Sequence, residues 1–328
     1  MMYIFEVVSM KEIKITEIEG FRFGNAEYEK SATGCTVILA DPGAVTGIDI
    51  RGGAPASRES GLLNPLADNS SVNAVLLSGG SAFGLSAADG IMKYLEERNI
   101  GFPTDAGVVP IVCASCLFDL GFVDSKVRPD SALGYQACLN AEKGIFRDGS
   151  YGAGCGATVG KVLGPASMMK AGLGTYAVQA GDLKVGAIVA VNAVGDVYDT
   201  DGKKIAGVYD PKTGEFVDAV EALVKTMQAV NLFRQNTTIG AIITNAGLNK
   251  TALSKVAGMA HDGFARAIRP VHTMFDGDTV YAMSSGSVPS DINTVGVLAA
   301  EVMAQAIARA ARPEGPSYGI RKADAEVK

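Results

Sequence analysis

Apolar residues at positions 216, 220, 223, 224, 227 and 230 recur at the spacing of one helix face, which predicts a helix over 216–233. Just beyond it the chain turns to Ile239, Ala241, Ile242 and Ile243, too short a run for an ordinary helix and β-branched enough for a buried strand over 238–244. Thr237 and Thr238 then stand at that strand's first residues. The same reading gives a strand at 73–78 running through a glycine turn into a helix that ends near Arg98, and a second helix at 131–143. Two strand-like stretches follow at 172–180 and 185–192, with hairpin or loop material over 192–207. A helix at about 249–268, a strand at 279–284 and a helix from a Ser290/Asp291 cap to about Arg312 complete the pattern, and the polar tail after it reads as loose. "KEIKITEIEGF", from Lys11, looks like the first strand. With no internal repeat or long linker, residues 11–328 read as one domain. Layers of strands and helices with hairpin-like strand pairs suit a mixed α+β sandwich better than a doubly wound parallel sheet.

Composition sharpens this. Forty glycines, no tryptophan, 7% aromatics and 48% hydrophobic residues in 328 describe a core of small aliphatic side chains with many close backbone approaches. A net charge of -6 leaves no basic field for a phosphate backbone, so nucleic acid is not an expected partner. Residues 1–10 lack the basic start and cleavage site of a secretory signal and read as an upstream-start extension, and no uncharged apolar run approaches the roughly 20 residues of a membrane span. A soluble cytoplasmic protein is expected. Cys35, Cys113, Cys116, Cys138 and Cys155 are odd in number and scattered, as reduced thiols would be; "CASC" continues an apolar run and has no companion ligands for zinc.

Candidate chemistry is sparse. His261 falls inside a helix pattern, and His272, close to "MFDGD", is the better site candidate of the two histidines. "GGSAFG" resembles a nucleophile elbow, but Phe83 stands where a glycine is required. Its plainer reading is a helix N-terminus whose free amides hold an anion or a substrate carbonyl, as one wall of a pocket. "GAGCG" at 152–156 starts like a dinucleotide fingerprint but places Ala157 at the third glycine position and leads into no helix pattern. A nucleophile served by neither histidine needs another base. If the chain is cut before Thr237, the new α-amino group, with a reference pKa of about 7.7–8.0, is such a base. The Thr hydroxyl can also make that cut itself, by attack on the Asn236 carbonyl and an N-to-O acyl shift. Taken alone, "NTT" reads as a polar turn before a strand.

Several motifs together change that balance: "GFRFGNA" at 20–26, "IRGGAPASRES" at 50–60, "LLSGGSAFGLSAADGIMKYLEER" at 76–98, "GAGCGATVGK" at 152–161 and "NTTIGAIITNA" at 236–246. Over nearly the whole length after Met10 the chain resembles the self-processing hydrolases that include the L-aminopeptidase/D-amidase-esterases, the β-aminopeptidases and the nylon-oligomer (6-aminohexanoate oligomer) endo-hydrolases. The resemblance implies an α+β fold, a four-layer αββα sandwich of the N-terminal-nucleophile, reversed-connectivity type. It implies a precursor cut into two chains that stay together, the first ending at Asn236 and the second beginning at Thr237, usually as a homotetramer of the cleaved unit. The nylon-oligomer branch fits best: its Asn-Thr junction is similar to Asn236-Thr237, its site lysine to Lys161, its site asparagine to Asn192, and its Asp-x-Asp pair to Asp276 and Asp278. The aminopeptidase branch cuts before a serine and has Ser and Glu in place of those aspartates.

Each position has a chemical role available to it. Asn192 can offer an amide N–H to a developing oxyanion. The Lys161 charge would disfavour a protonated amine nearby while hydrogen-bonding the Thr hydroxyl, and Asp276 and Asp278 would orient the amine and balance Lys161. Read locally, the same residues are a turn asparagine, a strand-end lysine and a "DGD" turn, and the resemblance selects the site. Gly79, Gly80, Ser81, Phe83, Tyr135 and Tyr151 are expected in the substrate-pocket wall. No cofactor and no metal are called for, since the Asp-rich stretches do not match a calcium loop. The expected activity is hydrolysis of amide bonds in peptides, β-peptides or ω-amino-acid oligomers. Strict aminopeptidase or D-esterase action, and an acyl transfer like that of ornithine acetyltransferase, are the alternatives.

Overall fold

The computed structural model describes residues 9–69, 71–226 and 236–323. Ten strands form its main sheet: β1 (Met10–Ile13), β2 (Phe21–Tyr28), β3 (Thr33–Ile50), β4 (Ala56–Arg58), β5 (Ser71–Ser78), β6 (Val112–Cys116), β7 (Leu173–Ala180), β8 (Leu183–Asn192), β9 (Thr237–Ala246) and β10 (Thr279–Val288). Their order is β1-β7-β8-β9-β10-β3-β5-β6-β4, with β2 also paired to β3. Only β9–β10 and β5–β6 run parallel within it. The helices are α1 (Ala87–Glu96), α2 (Ser131–Glu142), α3 (Ala219–Thr226), α4 (Lys250–Ala267) and α5 (Ile292–Ala310).

The sheet folds over on itself through β3, whose 18 residues pair with β5 from Cys35 to Leu39 and with β10 from Val45 to Ile50, the register breaking between Leu39 and Ala44. Strand alternation then sorts the core into layers. On β8, Val185, Ala187, Val189 and Val191 face α4 and α5, while Ile188 and Ala190 face Phe21, Phe23, Val75 and Leu77 of the opposite half. On that half Val37, Leu39 and Leu76 face α1 and α2. The result is the expected four-layer αββα sandwich.

Several boundaries differ from those read off the pattern. The first strand begins at Met10, inside the stretch set aside as an extension, and ends at Ile13, where a 3-10 turn over Ile15–Glu17 intervenes. The helix after Gly80 opens with six residues of 3-10 turn, Ser81–Ser86, before α1 starts. The helix placed over 216–233 starts at Ala219: the Asp218 carboxylate accepts from the N–H groups of Val220 and Glu221, and buried Asp196 accepts from that of Ala219. That capping fixes the start more strongly than the apolar spacing does, and residues 227–233 lie outside the described residues. Cys113 and Cys116 are buried on β6, and burial pushes both thiols up, Cys113 to about 12, so neither is a ready nucleophile. Among the described residues no helix is long and apolar enough to cross a membrane.

Candidate active site

Three strand ends meet on one rim of the sandwich. β8 finishes at Asn192, its antiparallel neighbour β9 starts at Thr237, and the two residues are register partners. β10, parallel to β9, starts at Thr279, directly after Asp276, Gly277 and Asp278. Lys161 arrives from the side: its backbone N–H donates to Val194 O and that of Gly160 to Gly195 O, which lays the end of the Gly-rich segment along the exit of β8. All five candidate side chains, with Asn236, are buried.

Thr237 is the unusual residue. It adopts φ 141°, a region that a β-branched side chain enters only under strain, at a cost of about 1–3 kcal/mol. Its Oγ1 accepts from Gly277 N at 2.9 Å, and Thr238 N donates to Asp278 Oδ1 at 2.7 Å. Glycine is required between the aspartates, since a Cβ at Gly277 would stand 2.9 Å from Thr237 Oγ1 and 2.8 Å from Ala54 O. The "RGGAP" segment braces this loop from outside: the N–H groups of Arg51 and Gly52 donate to Asp278 O, and that of Ala54 to Asp276 O.

Lys161 Nζ donates to Asn192 O at 2.8 Å and to Asn192 Oδ1 at 2.7 Å. Thr158 N donates to the same Oδ1 at 3.1 Å, so the amide orientation is set, and one Nδ2 hydrogen goes to Phe118 O at 2.8 Å. The second Nδ2 hydrogen is the one a substrate oxyanion could use. Burial brings the Lys161 ammonium down to about 7, with the Asp276 charge working the other way. Burial and the Asp278 charge together raise Asp276 to about 6, against the hydrogen bonds from Thr273 N and Oγ1. A lysine that gives up its proton near neutrality and a carboxyl that keeps one nearly as long are therefore both linked to Thr237, Lys161 through its register partner Asn192 and Asp276 through the adjoining Gly277. This is a setting for proton transfer.

Asp278 is held by a residue that drew attention only for being near it. Its Oδ2 accepts from His272 N at 3.1 Å and pairs with His272 Nδ1 at 2.8 Å, the imidazole stacking on Phe264 and meeting His261 edge-on. His261 lies within α4, its ring brought down to about 4 chiefly by burial.

The expected pocket wall divides. A cavity beside Lys161 is lined by Phe118, Asp119, Gly121, Phe122, Gly156, Thr158, Pro165 and Met168. Gly79, Gly80 and Ser81 lie one layer behind it: Gly80 N donates to Asp119 Oδ1 at 2.6 Å and Ser81 N to Leu117 O at 2.9 Å. The amides expected to hold an anion thus hold the protein's own Asp119 and a carbonyl. Phe83 is exposed under the Arg128 guanidinium, 3.7 Å from its ring centroid. Tyr135 belongs to the outer helical layer, where it donates to Glu97 and packs edge-on to Tyr94; it does not line the cavity. Tyr151 stacks with Arg147 and fills the space over Gly315, also off the lining. Asp119 went unnoticed, because a single acid after an apolar strand has no sequence signal.

Comparison with known proteins identifies a family for the chain. Residues 14–313 match the model of peptidase family S58. An uncharacterized aminopeptidase of Mycobacterium leprae is 39% identical over 299 residues, covering 84% of this chain and 79% of its own. A 6-aminohexanoate-oligomer endohydrolase of Kocuria is 33% identical over 313 residues, covering 90% and 85%. Among solved structures, the L-aminopeptidase D-Ala-esterase/amidase of Ochrobactrum anthropi, described as a variant of the Ntn hydrolase fold, superposes with a TM-score of 0.70 at 16% identity over 97% of this chain and 94% of that one.

Proposed function

This chain belongs to peptidase family S58 and hydrolyses amide or peptide bonds, and we propose that it does so as a precursor which cuts itself between Asn236 and Thr237 and then uses Thr237 as its nucleophile. The observation that carries the proposal is Thr237 itself: buried, at φ 141° on the first residue of a central strand, with its hydroxyl oxygen fixed by Gly277 N.

In the precursor the Thr237 nitrogen is an amide and cannot serve as a base, so neutral Lys161 takes the Oγ proton. Oγ bonds to the Asn236 carbonyl carbon, and that carbon's bond to the Thr237 nitrogen breaks as the nitrogen gains a proton. The resulting ester is hydrolysed by water, which leaves an Asn236 carboxylate, the restored hydroxyl and a free α-amine. Cutting the chain frees Thr237 from the backbone constraint that holds φ at 141°, so strain favours the forward step.

In turnover the α-amine takes the Oγ proton, Oγ attacks the substrate carbonyl, and the free Nδ2 hydrogen of Asn192 meets the oxyanion. The amine then protonates the departing nitrogen, and water hydrolyses the acyl-threonine ester. Asp276 and Asp278 hold the start of β9 and the proton balance around Lys161. The substrates are small amides of the peptide, β-peptide or ω-amino-acid type.

An intact-mass spectrum under denaturing conditions tests the proposal. Two chains, the second of 92 residues beginning at Thr237 (328 minus 236), are expected. A Thr237→Ala protein should remain one chain and be inactive, and an active or self-cutting Thr237→Ala protein overturns the reading.

A further inference from the structure

The polar tail beyond α5, which reads as loose in the sequence, is a strap. From Pro313 to Ala323 it crosses the Gly-rich segment on the outer side of the cavity beside Lys161. At one end Ser150 N donates to Glu314 O at 2.8 Å; at the other Lys170 N donates to Arg321 O at 2.8 Å, and the Arg321 guanidinium lies over the Tyr209 ring. Between them the chain turns at 317–320, with Ile320 N donating to Ser317 O, and the two central residues, Tyr318 and Gly319, have φ 53° and 78°. Such a turn favours glycine or asparagine, and a bulky side chain is a rare occupant of it. The packing of the Tyr318 ring accounts for the exception. It meets Phe122 edge-on with centroids 5.7 Å apart, and its hydroxyl is 3.1 Å from Cys155 Sγ. Phe122, and Gly156 next to Cys155, line the cavity. Phe122 closes a turn in which its N–H donates to Asp119 O, between exposed Gly121 and Val123, so the ring packed behind it fixes where it stands.

We propose that Tyr318 is a positioning residue that, through Phe122, limits the length of acyl chain the enzyme accepts. This rests on the amide-hydrolase reading above. The cavity adjoins the reacting groups: Phe118 in its wall accepts from Asn192 Nδ2, and Lys161 in its wall donates to Asn192 Oδ1. Its volume is about 40 Å³, and a water-sized group needs roughly 10–15 Å³, so it has room for about three such groups. A β-alanyl chain fits that space. A 6-aminohexanoyl chain, about twice as long, needs the Phe122 wall to give way, and a packed ring pair resists such a shift. After the proposed cut the strap belongs to the second chain and the wall to the first, so the piece that carries the nucleophile also sets the depth of the pocket.

The test uses the purified, self-processed protein with β-alanyl-, 4-aminobutyryl- and 6-aminohexanoyl-p-nitroanilide, which share their end groups and differ only in the number of methylenes. Wild type should lose kcat/KM with length, about tenfold or more from the shortest to the longest, mostly through KM. Tyr318→Asn, a residue the turn accepts, should shrink that ratio about fivefold or more by lowering KM for the longest substrate. Tyr318→Phe, which keeps the ring, should retain the wild-type ratio. A purely structural role would instead slow all three substrates alike. Phe122→Ala opens the same wall from its other side and should shift the ratio in the same direction. It decides the matter if Tyr318→Asn does not fold, and an unshifted ratio there overturns the proposal. Equal rates of wild type on the three substrates, or a wild-type ratio in folded Tyr318→Asn, overturn it as well and leave the hydrolase reading standing. A chain that stays uncut and hydrolyses none of the three overturns the hydrolase reading and this proposal with it.

Discussion

At residue scale the proposed chemistry depends on protonation and on tenths of an ångström. Burial brings Lys161 to about 7, so the fraction able to accept the Thr237 proton grows about tenfold per pH unit below that value and levels off above it. Precursor made by cell-free translation and shifted to buffers between pH 5 and 9 should cut itself with that profile on a denaturing gel, and Lys161→Arg, whose guanidinium keeps its proton, should abolish cutting. Gly277 offers a geometric test. An alanine there would push against both Thr237 Oγ1 and Ala54 O, so Gly277→Ala should fold, by circular dichroism, yet process ten- to a hundredfold more slowly. Unchanged processing would mean that the Gly277 amide does not position the hydroxyl. Of these residues the sequence made Thr237, Lys161, Asn192, Asp276 and Asp278 legible only in combination, through motifs spread over more than two hundred positions. His272 reaches Asp278 only six residues on, through a loop that folds back without a sequence signal, while Asp119 meets Gly80 and Thr33 from far away in the chain.

At the scale of elements, legibility followed periodicity. α4 and α5 carry long apolar faces with side-chain caps at Asn249 and Asp291, and each lies within about two residues of its expected span. β8 and β9 announced themselves by β-branched runs buried on both faces. β3 went unread: it crosses from one half of the sheet to the other through Asp41, Pro42 and Gly43, residue types that interrupt a strand pattern. α3 was misread because its start is fixed by Asp196, 23 residues away, whose carboxylate accepts from Ala219 N and Val208 N and pairs with Lys204. Asp196→Ala should cost about 2–4 kcal/mol in urea unfolding, since it strands two buried N–H donors and a half-buried ammonium. It should also slow processing, because α3 packs against Val162 and Val194, next to Lys161 and Asn192. A variant as stable as wild type would show that α3 is held by its apolar face alone.

For the whole molecule, the same buried lysines set how stability responds to pH. Burial lowers Lys161 and Lys170 from 10.5 to about 7, and Lys170 is enclosed by the carbonyls of Gly154, Ala157 and Ala171 at the centre of the Gly-rich segment. Below pH 7 both lysines are charged in the folded and the unfolded chain, and the full burial penalty stands. Between about 7 and 10.5 the folded protein has released protons that the unfolded chain still binds, so stability rises with pH across that window. Asp276, raised from 3.8 to about 6, acts in the opposite sense lower down: the folded state keeps a proton that the unfolded chain has lost, and stability falls as pH rises from about 4 to 6. His261, brought down from 6.5 to about 4, offsets that fall because the unfolded chain binds a proton there that the folded chain does not, so the rise above pH 7 is the larger change. Urea midpoints of the Thr237→Ala chain, one covalent piece at every pH, should therefore be higher at pH 9 than at pH 6.5. Lys170→Met should flatten part of that rise. A midpoint that falls steadily from pH 6.5 to 9 would mean that both ammonium groups stay charged inside the fold, and neutral Lys161 would then lose its place as the base in self-cleavage.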